Sequence, residues 1–303
     1  MFKGIIPPLL TPFAEDGSVD FASLDRLVDH LIDAGVHGLF VLGSSGQVAY
    51  LTDDDRDAVM RHVVAKAAGR VPVLAGTADL TAPRVAEQCR RAEAAGADAV
   101  VVTAPLYALN DAAETADHFR LAAAATALPV FAYDIPVRVH SKLGLQMVVT
   151  LAQEGVLHGI KDSSGDDVLF RMLVTEREQL GADFSILSGH EVMCDGMYLL
   201  GADGAVPGLA NVDPHGYVRL HEAALAGDWN LARQEQDRLT ELFKIVFVPQ
   251  GRSGDAGGIG AFKQALAALG VIDSARMPRP LGELTANDEA AIREILHKVG
   301  LLE

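Results

Sequence analysis

Residues 99–133 read AVVVTAPLYALNDAAETADHFRLAAAATALPVFAY. A run of small and β-branched residues, Ala99–Thr103, leads into a loop, then into an Ala-, Leu- and Arg-bearing helical stretch over 114–126, then into a second apolar run, Val130–Tyr133. Both runs are continuous, without polar alternation, which suits strands of a parallel sheet buried on both faces. Parallel neighbours need a long crossover, and a helix of this size supplies it.

The same unit recurs along the chain at roughly 25–30 residues. Candidate strands fall at Gly4–Pro8, Gly38–Leu42, Val71–Ala75, Ala99–Thr103, Val130–Tyr133, Leu157–Lys161, Phe184–Leu187 and Gly204–Val206, eight in all. Candidate helices lie between and after them, at about 20–34, 53–68, 81–95, 114–126, 143–153, 167–178, 190–200 and 213–225. Eight β–α units favour a closed barrel over an open doubly wound sheet. The expected fold is α/β, a (β/α)8 TIM barrel over residues 1–225 with a helical extension over 226–303 packed on it. In that extension 226–248, 261–270 and 287–301 read as helices, and Gly251–Gly260 as a glycine-rich connection. Thr52 before Asp53, Asp54 and Asp55 reads as an N-cap followed by acids that the helix dipole favours, rather than as a metal cluster. Gly35, Gly69, Gly96 and Gly155 follow helices where a left-handed cap is wanted.

The chain is half apolar over 303 residues, enough for a large core, and carries a formal net charge of −16. Such a surface repels phosphates and disfavours nucleic acid and anionic membranes. Cys89 and Cys194 cannot build a disulfide framework, so a reducing compartment is expected. The opening MFKGIIPPLLTPF is interrupted by prolines and does not read as a signal peptide, and no apolar run is long enough to span a bilayer. The expected location is cytoplasmic.

Barrel chemistry gathers at the carboxyl ends of strands and in the loops that follow. Those positions hold Gly43-Ser44-Ser45-Gly46-Gln47 after strand two and Thr103-Ala104-Pro105-Leu106-Tyr107 after strand four. Tyr133-Asp134-Ile135-Pro136-Val137-Arg138 follows strand five, Ile160-Lys161-Asp162-Ser163-Ser164-Gly165 strand six, and Ser188-Gly189-His190-Glu191 strand seven. Of seven lysines, Lys161 alone ends a predicted strand. A lysine in a half-dry barrel mouth has a lowered pKa, which frees its amine to condense with a carbonyl. Tyr133, at the same end of the adjacent strand, is suited to carry protons to and from a carbinolamine. Ser44 and Ser45 sit in a glycine-bracketed loop that can hold a carboxylate with amides and hydroxyls. Arg138 suits a second carboxylate. The histidines and cysteines have no metal-ligand spacing, G-x-S-x-G is absent, and Gly251–Gly260 has no preceding strand and no P-loop Lys-Ser/Thr.

Four strings together, GSSGQ at 43–47, YDIP at 133–136, IKDSSGD at 160–166 and GADGAVPGLANVDP at 201–214, resemble the dihydrodipicolinate synthase / N-acetylneuraminate lyase family of pyruvate-dependent class I aldolases. The resemblance runs from the opening GIIPPLLTPF to the helical tail. It implies a Schiff base between Lys161 and a 2-oxo acid, with Tyr133 shuttling protons and Gly43, Ser44 and Ser45 gripping the pyruvate carboxylate. It places Ser44 and Tyr107 in a hydroxyl relay, Tyr107 being presented to a neighbouring subunit. It further implies Arg138 on the carboxylate of aspartate semialdehyde, Gly189 in the substrate site, and the Val206 carbonyl near the lysine. No cofactor and no metal are implied beyond the covalent substrate adduct, and the family's usual assembly is a homotetramer built as a dimer of dimers.

The chain departs from that pattern at the acceptor side. Ser44-Ser45 replaces two threonines, Gln47 replaces glutamate, Asp134 replaces asparagine, and Val139-His140 replaces Thr-Gly. Three functions follow. The first is condensation of pyruvate with aspartate semialdehyde, the 4-hydroxy-tetrahydrodipicolinate synthase reaction. The second is cleavage or dehydration of a 2-keto-3-deoxy sugar acid through the same imine. The third is a silent barrel that senses a 2-oxo acid.

Overall fold

The computed structural model describes residues 2–181 and 183–303. Eight parallel strands form one sheet: β1 (Gly4–Ile5), β2 (Leu39–Val41), β3 (Val73–Gly76), β4 (Ala99–Thr103), β5 (Val130–Asp134), β6 (Gly159–Asp162), β7 (Ser185–Ser188) and β8 (Gly204–Ala205). The hydrogen-bonded order is β1-β8-β7-β6-β5-β4-β3-β2. The remaining seam is closed next to β1: Phe40 N–H donates to the Pro7 carbonyl at 3.0 Å, Leu9 N–H donates to the Phe40 carbonyl at 2.9 Å, and Pro8 bridges Phe40. The expected (β/α)8 barrel is the fold. Every strand residue is buried, as a sheet wrapped in helices requires.

The wrapping helices are α1 (Phe21–Asp33), α2 (Asp53–Ala67), α3 (Ala82–Ala95), α4 (Ala112–Ala123), the single-turn α5 (Pro136–Val139), α6 (Leu145–Gln153), α7 (Asp167–Thr175), α8 (Arg177–Leu180), α9 (Cys194–Leu200) and α10 (Pro214–Leu225). Their start signals work as expected. Thr52 Oγ1 accepts from Asp55 N–H at 3.2 Å while Asp55 accepts from Thr52 N–H at 3.2 Å, a reciprocal capping box. Gly35, Gly69, Gly96 and Gly155 all take positive φ.

Beyond residue 226, α11 (Trp229–Phe243), α12 (Gly260–Ala268) and α13 (Ala286–Lys298) follow, with α11 packed on α9 and α10 and α13 on α11 and α12. The fully buried Lys263 of α12 donates to the Arg276 carbonyl at 3.1 Å and stands over the Phe13 ring, tying this segment to the start of the chain.

Three expectations need correction. The stretch 190–200 is helical only from Cys194, because Glu191 is drawn away to Gly208 and Leu209 and the Cys194 N–H is taken by Gln236 Oε1 at 2.6 Å. The stretch 167–178 is two helices, α7 and α8, separated at Glu176. Gly251–Gly260 is no mere connection: Asp255–Ile259 forms a π-helical turn that runs straight into α12.

Candidate active site

The parallel register sets Tyr133 of β5 beside Lys161 of β6, and Thr103 of β4 beside Tyr133. In-register neighbours in a sheet project to the same face, so the three residues share one side of the barrel wall at its carboxyl end. Lys161 is 5% exposed. Its Nζ lies 4.1 Å from the Tyr133 ring centroid and 4.8 Å from that of Phe40. The two rings meet edge to face at 81° with centroids 6.1 Å apart, so the amine occupies an aromatic corner. That corner packs the nitrogen between two ring faces and keeps bulk water from it.

The loop after β2 brings up the hydroxyls. Leu42 and Gln47 both adopt left-handed φ, 59° and 56°, and turn the chain sharply around Ser44 and Ser45. Gln47 N–H closes the turn on the Ser44 carbonyl at 3.0 Å, and Thr11 Oγ1 pins it by donating to the Gly46 carbonyl at 2.8 Å. A Cβ on Gly43 would stand 2.7 Å from Phe40 Cε1, so the loop approaches the aromatic corner closely only with glycine there. Ser45 Oγ faces Gly208 across the barrel mouth, where the Glu191 carboxylate also points.

Glu191 accepts from Gly208 N–H at 2.7 Å and from Leu209 N–H at 2.9 Å. Burial pushes its carboxyl above the usual carboxylate range, opposed by these two amides and by the charge of Lys161. Gly189 stands at the end of β7 under similar crowding: a Cβ there would lie 1.9 Å from Ser163 Oγ, and its N–H donates to the Asp162 carbonyl at 2.7 Å. Val206 follows β8, buried, with its N–H on the Ser188 carbonyl at 2.8 Å.

Asp134 and the nearby Arg138 both have structural partners. Asp134, where asparagine is usual, is buried, forms an ion pair with Lys142 and accepts from Leu143 N–H at 3.2 Å. Burial raises its pKa and Lys142 opposes the rise. Arg138 is not a free cation. Its Nη1 donates to Asp255 Oδ2 at 3.0 Å and its Nη2 to Asp255 Oδ1, a bidentate fork that raises the guanidinium pKa further.

Lys161 and Tyr133 are therefore in contact, Ser45 is on the same mouth, and Ser44 and Arg138 line one compartment beside it. Tyr107 is not among them. Its side chain is 87% exposed on the loop after β4. Phe40, Thr103, Glu191 and Asp255 belong to the site although the strand-end strings assign them no role. Glu191 is signalled by its place at the end of strand seven, and Asp255 by being the one acid in a run of glycines. Among the described residues no group of three or more His, Cys, Asp and Glu side chains is arranged to hold a metal ion, and no helix is long and apolar enough to cross a membrane.

A closed parallel barrel with a buried lysine amine at its carboxyl mouth is the architecture of a class I, Schiff-base lyase. The chain belongs to the dihydrodipicolinate synthetase family, which matches residues 1–299 and whose members form a lysine Schiff base with pyruvate. It is 35% identical over 306 residues to an uncharacterised DapA-like lyase of Halobacterium salinarum, with 99% of this chain and 94% of that one aligned. It is 34% identical over 297 residues to the 4-hydroxy-tetrahydrodipicolinate synthase of Phenylobacterium zucineum, covering 98% and 96%. Among solved structures, YagE of E. coli K12, a prophage protein of the same family crystallised with pyruvate, superposes with a TM-score of 0.93 at 30% identity over 100% of both chains.

Proposed function

We propose that Lys161 is the Schiff-base lysine of a pyruvate-dependent lyase and that its acceptor is aspartate semialdehyde, the reaction of a 4-hydroxy-tetrahydrodipicolinate synthase. One observation carries the first half: a buried amine at the end of β6, lying over the ring of Tyr133. The amine adds to the pyruvate C2 carbonyl, and the carbinolamine loses water to give the imine. Loss of a C3 proton then gives the enamine that attacks the aldehyde. Tyr133 moves the protons of addition and dehydration, Ser44 and Tyr107 continue its relay, and Gly43 and Ser45 hold the pyruvate carboxylate. Gly189 and the Val206 carbonyl complete the wall. Relatives that carry the synthase name at 33–34% identity over nearly the whole chain support the acceptor, and the pyruvate held by YagE supports the donor.

Reduction with borohydride in the presence of pyruvate tests the donor half. A covalent adduct is expected at Lys161 and is lost in Lys161→Ala; an unmodified Lys161 defeats the assignment. Condensation with aspartate semialdehyde tests the acceptor half.

A second reading, cleavage or dehydration of a 2-keto-3-deoxy sugar acid, is favoured by the occupation of Arg138 by Asp255. Release of pyruvate from such acids would select it. Turnover of any aldehyde removes the silent sensor.

The proposal extends to a cytoplasmic homotetramer built as a dimer of dimers, with 1–225 as barrel and 226–303 as its extension, needing no cofactor beyond the substrate adduct. The exposure of Tyr107 supports the dimer, since the relay is complete only when a second copy receives it.

A further inference from the structure

Asp255 is separated from Arg138 by 117 residues, yet the π-helical turn at Asp255–Ile259 delivers its carboxylate onto that guanidinium. The Asp255 side chain is 18% exposed and that of Arg138 42% exposed. Tyr50 adds a third contact, its hydroxyl donating to Asp255 Oδ2 at 3.4 Å. The three residues wall a compartment of about 170 Å³ beside the catalytic loop, together with Ser44, Gln47 and Thr103. Of the lining residues, Gln47 and Thr103 each hold a buried side-chain oxygen, Oε1 and Oγ1, that has no protein hydrogen-bond partner.

The fork of one guanidinium accepts one carboxylate in bidentate fashion. A carboxylate fixed to the same chain competes at an effective concentration far above that of a dissolved rival. We propose that Asp255 is a specificity-determining residue: it occupies Arg138 until an acceptor carboxylate, that of aspartate semialdehyde in the proposed reaction, displaces it, a cost that a neutral, hydroxylated aldehyde does not meet. A carboxylate-bearing acceptor binds at Arg138 only by displacing Asp255, whereas a neutral acceptor leaves the pair intact. The inference rests on the reading of Arg138 as the acceptor-side arginine.

The test measures binding of succinate, an unreactive carboxylate, by calorimetry in saturating pyruvate. Asp255→Asn is expected to bind succinate about tenfold more tightly than the parent, and the gain is expected to vanish in Asp255→Asn/Arg138→Ala. Unchanged affinity, or a gain that survives loss of Arg138, overturns the proposal. Asp255→Ala carries the same expectation and serves if the asparagine variant fails to fold. In turnover, the ratio of kcat/KM for aspartate semialdehyde to that for glyceraldehyde should rise by a similar factor in both variants, and a ratio that falls or stays level counts against the inference. Failure of borohydride to trap pyruvate on Lys161 would defeat the Schiff-base reading alone, because the same succinate titration run without pyruvate reads Arg138 independently of it.

Discussion

At the scale of single residues the proposed chemistry rests on one amine and one phenol whose contact is made through the ring face. Lys161 Nζ lies 4.1 Å from the Tyr133 centroid, so the ring's packing against the amine and the hydroxyl's service as proton carrier are separable. Tyr133→Phe keeps the ring, its edge-to-face contact with Phe40 and the buried surface, and deletes only the oxygen. Catalytic proton transfer by a positioned group is worth about 10²–10⁴-fold. The variant should therefore lose at least about a hundredfold in kcat, while its thermal midpoint stays close to the parent's. A large loss of stability with kcat preserved would show that Tyr133 is a packing residue. Lys161 and Tyr133 are legible in the sequence because strand ends in a barrel are few and the residue types there are unusual. Phe40 is not, since its role depends on the closing of the barrel seam next to β1. Asp255 is marked only as the one acid in a run of glycines, and nothing in that string reveals that it meets a guanidinium 117 residues away.

At the scale of elements, the strand centres are readable because a strand buried on both faces must be apolar throughout, and their ends are off by up to three residues, the most at β1, expected to Pro8 and ending at Ile5, where loops take over the hydrogen bonding. Helix starts read well where the cap is local, as with Thr52 and Asp55, and badly where the competing partner is distant, as with Glu191 and the amides of Gly208 and Leu209. A contact between elements at the amino-terminal end of the barrel gives a prediction about pH. His221 of α10 meets His37, just before β2, with ring centroids 4.6 Å apart, and its Nδ1 is 2.9 Å from the Tyr198 hydroxyl of α9. Burial first, and the His37 charge second, push His221 from 6.5 down to about 4. Burial also lowers His37. Below pH 6.5 the unfolded chain takes up a proton that folded His221 refuses until about pH 4. The unfolded state therefore binds more protons across that window, and stability falls as pH falls through it, with no contribution from this group above it. His221→Gln keeps a polar group for Tyr198 and removes the titration. Melting curves taken from pH 7.5 to 4 should decline less steeply for the variant, and parallel curves would refute the account. This end of a barrel bears on stability and not on turnover, so kcat at neutral pH should be unchanged.

At the scale of the whole molecule, the proposed relay turns on a residue that the isolated chain leaves exposed. Tyr107 is 87% exposed and Leu109, two residues on, is 95% exposed. If Tyr107 serves the proposed relay, it serves it in another copy's barrel, and the active unit is then a dimer. Complementation tests this directly. Lys161→Ala lacks the nucleophile but presents an intact Tyr107, and Tyr107→Phe has the reverse defect. Each homodimer should be nearly inactive. Random reassortment of equal amounts makes half the dimers mixed, and in each of these one of the two sites draws its lysine and its tyrosine from intact sources, so activity should recover to about a quarter of the parent's. Recovery requires subunit exchange, which mass spectrometry of the mixed dimers verifies. If mixed dimers form and activity stays at the level of the separate variants, the tyrosine acts within its own chain or not at all. High residual activity in the Tyr107→Phe homodimer would exclude the relay itself while leaving the chemistry of Lys161 intact.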